Sequence, residues 1–337
     1  MVLAGCPSNL GTNKNEDPKS LGWQSYSYFD TISKIFSYSG DSSEVFQANI
    51  KKVSDLFSEY HKLFDIYYEY EGVTNLCTIN KNAGGEPLVV DQKLIDFLLY
   101  AKNIYTLTNG ETNIMLGSVL AIWHDARMIA TNVPDKTYVP SEVDLIEAAK
   151  YTSIDLLEID EENKTVRITH EKARVDVGAL GKGYATEKAA QMLEEMGCES
   201  YVLNIGGNIR IVGTKADGSG WNTGITNPFK DPKYALYLNI KDTSCVTSGD
   251  YERYFVYEGK KYHHIIDKDT LMPADYFSSI TVLVKDSGLA DALSTALFAM
   301  PYEQGRRLVD SLDGVEAIWI DKDGNITYTD GVTPIEL

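Results

Sequence analysis

The sequence predicts an α+β protein with largely antiparallel sheets. Helical and strand periodicities both occur, the strands cluster mainly after Tyr151, and they come in consecutive hairpin-like pairs. Regular alternation of strands with helices, the mark of a doubly wound sheet, is missing. Helices are expected at residues 43–64, 92–107, 141–150, 184–196, 289–300 and 302–312. Strand pairs are expected at 156–159 with 165–169, at 201–205 with 209–213 across a double glycine, and at 254–257 with 261–266. A further strand is expected over Arg174 to Val177, leading through a glycine-punctuated turn into the helix at 184–196.

A chain of 337 residues that is 43% hydrophobic buries a full core, in one large domain or two. No internal repeat is visible. The formal charge of −18 argues against nucleic acid or an anionic membrane surface as main partner, because both reward Lys and Arg.

Chemistry concentrates in a few segments. Asp291-Ala292-Leu293-Ser294-Thr295 places a carboxylate and two hydroxyls three and four residues apart on one helical face. That is a donor set for a hard cation such as Mg²⁺, which takes a few protein oxygens and keeps water or phosphate in its other positions. A purely structural reading is also open, with Asp291 in the helix's first turn and Ser287 as N-cap. Gly178, Gly181 and Gly183 around Lys182 suit close approach of a phosphate to backbone and helix N-terminus, although the spacing is neither a Walker A loop nor a dinucleotide fingerprint. Asn204-Ile205-Gly206-Gly207-Asn208 reads as a hairpin turn or a second close-approach element. Thr247-Ser248-Gly249-Asp250-Tyr251-Glu252-Arg253-Tyr254 and Tyr262-His263-His264-Ile265-Ile266-Asp267 complete the polar set. Adjacent histidines on a strand face opposite ways, so one of His263 and His264 faces a site and the other does not.

Five segments, in order, together resemble the ApbE family of FAD:protein FMN transferases. They are Val175-Asp176-Val177-Gly178-Ala179-Leu180-Gly181-Lys182-Gly183-Tyr184-Ala185, Asn204-Ile205-Gly206-Gly207-Asn208, Thr247-Ser248-Gly249-Asp250-Tyr251, His264-Ile265-Ile266-Asp267 and Ala290-Asp291-Ala292-Leu293-Ser294-Thr295-Ala296. Weaker echoes stand at Phe64-Asp65-Ile66-Tyr67, Thr78-Ile79-Asn80 and Thr108-Asn109-Gly110-Glu111-Thr112-Asn113. The resemblance implies a T-fold-like core with a flavin cleft between a helical part and a β-rich part. It implies that FMN is transferred from FAD to a Ser or Thr hydroxyl of an acceptor protein, Mg²⁺-dependently, with release of AMP. Family acceptors carry that hydroxyl in a short Gly- and Ser/Thr-containing motif of respiratory or extracellular electron-transfer proteins.

Residue by residue, the resemblance assigns Mg²⁺ to the Asp291 carboxylate, the Thr295 hydroxyl and the Ala179 carbonyl, with Ser294 as a fourth candidate. It assigns FAD contacts to Asp176 and Lys182, to the backbone around Glu111, Thr112 and Asn113, to Tyr67, and to the main chain at Ile266. His264 is the candidate to accept the proton of the incoming hydroxyl, because imidazole titrates near neutrality; a structural pairing with Asp267 is the competing role. The sequence departs from the family where Pro-x-Thr-Gly usually follows the Asp: here Lys268-Asp269-Thr270-Leu271 stands, predicting a looser turn. The common Met-Gly-Thr is Phe29-Asp30-Thr31. Two other functions share these residues: an Mg²⁺-dependent FAD pyrophosphatase yielding FMN and AMP, and a non-catalytic flavin-binding lipoprotein.

Leu3-Ala4-Gly5-Cys6 resembles a bacterial lipobox, in which the Cys becomes the lipidated first residue after signal-peptide removal. Residues 1–19 are therefore expected to be a lipobox remnant and flexible tether, and 20–337 the transferase domain. The protein would be extracytoplasmic, held to the bacterial membrane through a lipid on Cys6. Cys77, Cys198 and Cys245 have neither a zinc spacing nor an even count and are expected to be small core residues.

Overall fold

A computed structural model of the chain describes residues 20–336; the lipobox and tether at 1–19 lie outside the described residues. The chain begins with a hairpin, β1 (Leu21–Tyr28) and β2 (Thr31–Ser37), and continues into a long helix, α1 (Ser43–Phe64). Ser42 caps α1 by accepting the Val45 N–H, and Phe46, Ile50, Val53, Phe57, Tyr60 and Phe64, three or four apart, form its buried stripe. Then come α2 (Leu76–Lys81), β3 (Leu88–Val89), α3 (Gln92–Leu107), α4 (Gly117–Asn132), α5 (Glu142–Ala149), β4 (Leu157–Asp160), β5 (Thr165–Ile168) and α6 (Gly181–Glu195). The β-rich remainder opens with β6 (Tyr201–Ile205), β7 (Asn208–Val212), β8 (Trp221–Thr226), β9 (Tyr234–Ile240) and β10 (Ser244–Gly249). It closes with β11 (Tyr254–Tyr257), β12 (Lys260–His263), β13 (Ser279–Val284), α7 (Ser287–Phe298), α8 (Tyr302–Asp310), β14 (Glu316–Ile320), β15 (Ile326–Tyr328) and β16 (Pro334–Ile335).

Eight strands form one antiparallel sheet in the order β1-β2-β6-β7-β10-β13-β14-β15. Its interior strand β13 is buried at every position because both faces are covered. Ile280, Val282 and Val284 meet Ala290, Leu293, Ala296 and Leu297 of α7, while Leu283 on the other face joins Ile225, Leu238 and Ile240 of the small β16-β9-β8 sheet. A continuous apolar strand is the pattern such double coverage requires. Helices α1, α3 and α6 share a second core with Ile35, Tyr201 and Leu203 of the large sheet. The β11–β12 hairpin stacks Phe255 and Tyr262 on Trp123 of α4.

The α+β architecture and the antiparallel pairing follow the sequence prediction; several boundaries differ. Residues 174–177 form no strand. Asn80 substitutes for a strand neighbour: its amide donates to the Val175 carbonyl and its oxygen accepts the Val175 N–H, at 2.9 and 2.8 Å. Helix α6 starts at Gly181, so the glycine-rich stretch is its first turn. Helix α7 is capped by Asp286, which accepts the Leu289 N–H, and Ser287 is its first residue. Helix α4 carries no side-chain cap and opens on a glycine, which removes the usual start signal. Cys77 and Cys245 are buried, Cys198 half-buried beside the Asn49 amide, and all three are free. No helix among the described residues is long and apolar enough to cross a membrane.

Candidate active site

A cavity of about 640 Å³ opens between α4, the N-terminal turns of α6 and α7, the β1–β2 and β6–β7 turns, and the segment after β12. Tyr67, Glu111, Thr112, Asn113, Asp176, Ala179, Lys182, His264, Ile266, Asp291 and Thr295 all line it. Residues spread over more than two hundred positions of sequence thus share one surface, of a size typical for small-molecule sites.

One wall is the contact between α6 and α7. The Gly183 N–H donates to Asp291 Oδ2 at 2.8 Å, and a Cβ at position 183 would lie 2.4 Å from both Asp291 Cβ and the Ser287 carbonyl oxygen. Glycine at 183 is therefore required by helix approach. Lys182 Nζ lies 3.9 Å from Asp291 Oδ2 and donates to the Gly178 carbonyl at 3.4 Å. It is the one ion-pair partner of Asp291 among the described residues. Ser248, from β10, bonds Ser294 Oγ at 2.8 Å and reaches Thr295 Oγ1 at 3.5 Å. Ser294 also donates to the Asp291 carbonyl and stays out of the cavity lining, so it is not placed as a ligand. Thr112 fixes the other side of α7 by donating to the Ala292 carbonyl at 2.8 Å.

This donor set fits a hard cation. A buried carboxylate and a hydroxyl one turn apart on α7 line the cavity with Ala179, whose carbonyl would add a third oxygen, and phosphate oxygens would complete the shell. Among the described residues no group of three His, Cys, Asp or Glu side chains could hold a metal, so a nitrogen- or sulfur-rich centre has no counterpart here.

The double glycine forms the expected hairpin turn. Gly206 and Gly207 have φ of 60° and 97°, the left-handed pair of a two-residue hairpin turn, and they line the cavity. Phe29, in the β1–β2 turn with φ of 55°, lines it as well.

The two histidines separate as expected, for a local reason. β12 ends at His263, whose buried ring bonds the Ala274 carbonyl at 2.9 Å. His264 faces the cavity, and its buried Nδ1 has no hydrogen-bond partner among the described residues. Burial, reinforced by Arg253 and Arg127, pushes its pKa down to about 3, so the ring is neutral. Asp267 does not pair with His264. It accepts the Asp269 and Thr270 N–H groups at 2.7 and 3.1 Å and the Tyr276 hydroxyl. Leu271, where the family pattern has Gly, adopts φ of 60°, and its carbonyl accepts Trp123 Nε1–H at 2.9 Å. The turn is thus well held, contrary to the looser turn predicted from its missing Pro and Gly.

Elsewhere on the wall, burial raises the carboxyl pKa of Glu111, opposed by Lys268 at 3.2 Å. The Asp176 carboxyl is raised by burial, opposed by the Gly178 N–H at 2.8 Å and by nearby cationic groups. Tyr67 bonds His124 Nδ1 at 3.2 Å, and burial pushes its phenol up to about 12. Asn113 spends its side chain on the Thr152 carbonyl and the Met115 N–H and its own carbonyl on the Leu116 N–H, leaving its backbone N–H for the cavity. Sequence reasoning missed His124 and Arg127, which lie on the unanticipated α4; it singled out Ser248 and Arg253 only as members of a polar cluster.

A model of the ApbE family matches residues 29–319. A relative from Treponema pallidum named FAD:protein FMN transferase is 32% identical over 274 residues, covering 76% of this chain and 73% of its own length. One of the same name from Klebsiella pneumoniae (strain 342) is 27% identical, covering 83% and 84%. Among solved structures, an ApbE protein from Thermotoga maritima superposes with a TM-score of 0.80 at 27% identity, over 93% of this chain and 97% of that one. A flavin transferase ApbE from Vibrio cholerae shares the fold, with a TM-score of 0.74 over 92% and 96%. On this match, which spans every motif that meets at the cavity, the chain belongs to the ApbE family.

Proposed function

We propose that the protein transfers FMN from FAD to a Ser or Thr hydroxyl of an acceptor protein and releases AMP. The observation that carries this reading is the meeting of Asp291, Thr295, Ala179, Lys182 and His264 on one cavity. The naming of its relatives as FAD:protein FMN transferases supports it.

In the reaction the acceptor hydroxyl oxygen forms a bond to the FMN phosphorus, and the bond from that phosphorus to the oxygen bridging to AMP breaks. The hydroxyl proton passes to His264 and then to solvent; the ring is neutral but a weak base in the ligand-free protein, and the negative charge of a bound diphosphate, by offsetting Arg253 and Arg127, would raise its basicity. Such transfers depend mainly on positioning and charge neutralisation. Lys182 places a cation beside Asp291, and the positive end of the α6 dipole would favour phosphate oxygens, with the Gly181 and Gly183 N–H groups already spent on the Val177 carbonyl and on Asp291. Asp291, Thr295 and the Ala179 carbonyl would hold Mg²⁺, which when bound supplies Lewis-acid neutralisation of the diphosphate. Tyr67 offers a ring face to a planar heterocycle, and the backbone at 111–113 and Ile266 offers hydrogen-bonding edges. A lipid on Cys6 would hold the enzyme beside acceptors on the extracytoplasmic membrane surface.

The test is incubation with FAD and Mg²⁺, with and without a small FMN-binding-domain protein. AMP together with a flavin-fluorescent acceptor band that survives denaturation is the expected result. AMP without a labelled acceptor would assign a pyrophosphatase instead, and neither product would leave a flavin carrier.

A further inference from the structure

Arg127 and Arg253 both line the cavity and come from unrelated elements, α4 and the segment between β10 and β11. Arg127 is half-buried and Arg253 exposed. Among the described residues neither guanidinium has a carboxylate oxygen within 4.0 Å, although the chain holds 49 acidic residues against 31 Lys and Arg. The hydrogen bond of Arg127 goes to a neutral acceptor, His124 Nδ1 at 3.2 Å. The nearby carboxylate of Asp176 is turned to the Gly178 N–H instead.

Two guanidinium groups on one cavity without a direct ion pair repel each other, and the repulsion is felt: Arg127 has its proton affinity lowered first by burial and next by Arg253, opposed by Tyr67 and Asp176. In a strongly acidic chain, carboxylates to neutralise such a pair are plentiful, so leaving it bare on a cavity wall points to an anion supplied from outside. Guanidinium is suited to phosphate, which it grips through two parallel N–H groups. His264, on the same cavity, feels both arginines and Lys182.

We propose that Arg127 and Arg253 form a clamp for phosphate oxygens of the bound dinucleotide, in addition to Lys182. The clamp rests on the reading of the cavity as an FAD site and adds to it two binding residues outside the motifs that carry the family resemblance. Its role is to hold the dinucleotide's phosphates while the acceptor hydroxyl approaches. After transfer it would retain whichever half still carries the gripped phosphate. His124 assists as a positioning residue: Arg127 has only donors, so His124 Nδ1 accepts, and the ring carries its proton on Nε2.

The test is calorimetric titration of the full chain, with and without Mg²⁺, using FAD, AMP, FMN, adenosine and riboflavin. Arg127→Gln and Arg253→Gln are expected each to weaken FAD binding about tenfold or more, the loss of one charge-assisted hydrogen bond. The losses should recur with AMP or with FMN, which identifies the phosphate gripped, and be absent with adenosine and riboflavin. Arg253→Lys, which keeps the charge but not the fork, should recover part of the affinity. Equal losses for charged and uncharged ligands would overturn the clamp, as would unchanged nucleotide affinity with a raised KM for the acceptor, which would give the arginines to the acceptor protein. If the unaltered protein binds FAD and the variants bind it equally well, only the clamp is lost; if the unaltered protein binds no FAD, the transferase reading falls and the clamp with it.

Discussion

Gly183 and Asp291 touch where α6 meets α7: the backbone N–H of one donates to the carboxylate of the other at 2.8 Å, with no room for a methyl group between them. Two elements whose contacting residues lie 108 positions apart are thereby held at the distance that sets the carboxylate on the cavity wall. Gly183→Ala must push its new Cβ against the Ser287 carbonyl and Asp291 Cβ, both 2.4 Å away. Backbone cannot yield as a flexible side chain does, so a stability loss of about 1–3 kcal/mol is expected, typical of overpacking. Turnover should fall further than the unfolded fraction explains, because Asp291 moves with α7. Thermal unfolding and rate at one temperature check it; a variant with unchanged melting and turnover would show that the helices have slack.

Asp291→Ala removes the one carboxylate of the proposed cation site. It should abolish Mg²⁺ stimulation of AMP release while leaving measurable FAD affinity, since Tyr67, Asp176 and Lys182 remain. A loss of two orders of magnitude or more in kcat is the scale associated with deleting a group that stabilises transition-state charge, about 3 kcal/mol or more. Rate against Mg²⁺ concentration is the measurement, and a normal Mg²⁺ response in the variant would remove the assignment.

The site was more legible in the sequence than the scaffold that presents it. Residues that must be one chemical type at one place, such as Asp291, Thr295, His264 and Lys182, stand in short motifs, and each motif reaches the cavity. The supports are long-range and leave no local trace. Asn80 acts as a surrogate strand neighbour for Val175 across 95 positions, and Thr112 bonds α7 across 180. Helix α4 lacks a cap, so Arg127 and His124 could not be placed beside Tyr67 from periodicity alone. The turn after Asp267 shows the converse error: Pro and Gly were the expected punctuation, yet an Asx-type turn with Leu271 in the left-handed region makes the same bend.

That turn yields a third prediction. Asp267 is buried and accepts two N–H groups and the Tyr276 hydroxyl. Asp267→Ala leaves those donors without their acceptor and leaves the left-handed strain at Leu271 uncompensated. A destabilisation of about 1–3 kcal/mol is expected. Because Ile266 lies next to it on the cavity wall, KM for FAD should rise more than kcat falls. Steady-state kinetics at saturating acceptor separates the two, and a fall confined to kcat would place Asp267 in the chemistry instead.

The histidines predict how stability depends on pH. Burial depresses His263 to about 4 and His264 to about 3, below the ordinary imidazole value of 6.5. Between those folded values and 6.5 the unfolded chain binds protons that the folded chain refuses, so stability of the ligand-free protein rises with pH across that window. Above it the two rings add no further slope, and below the folded values the whole contribution has been lost. His264→Gln should flatten the acid side of the stability curve while slowing FMN transfer, with FAD binding affected less. His263→Gln should flatten it too, yet spare the chemical step, because that ring is spent on the Ala274 carbonyl. Denaturant unfolding at pH 5 and pH 8, paired with single-turnover transfer rates, checks both. If His263→Gln slowed transfer as severely as His264→Gln, the division of one ring to the site and one to the scaffold would have to be abandoned.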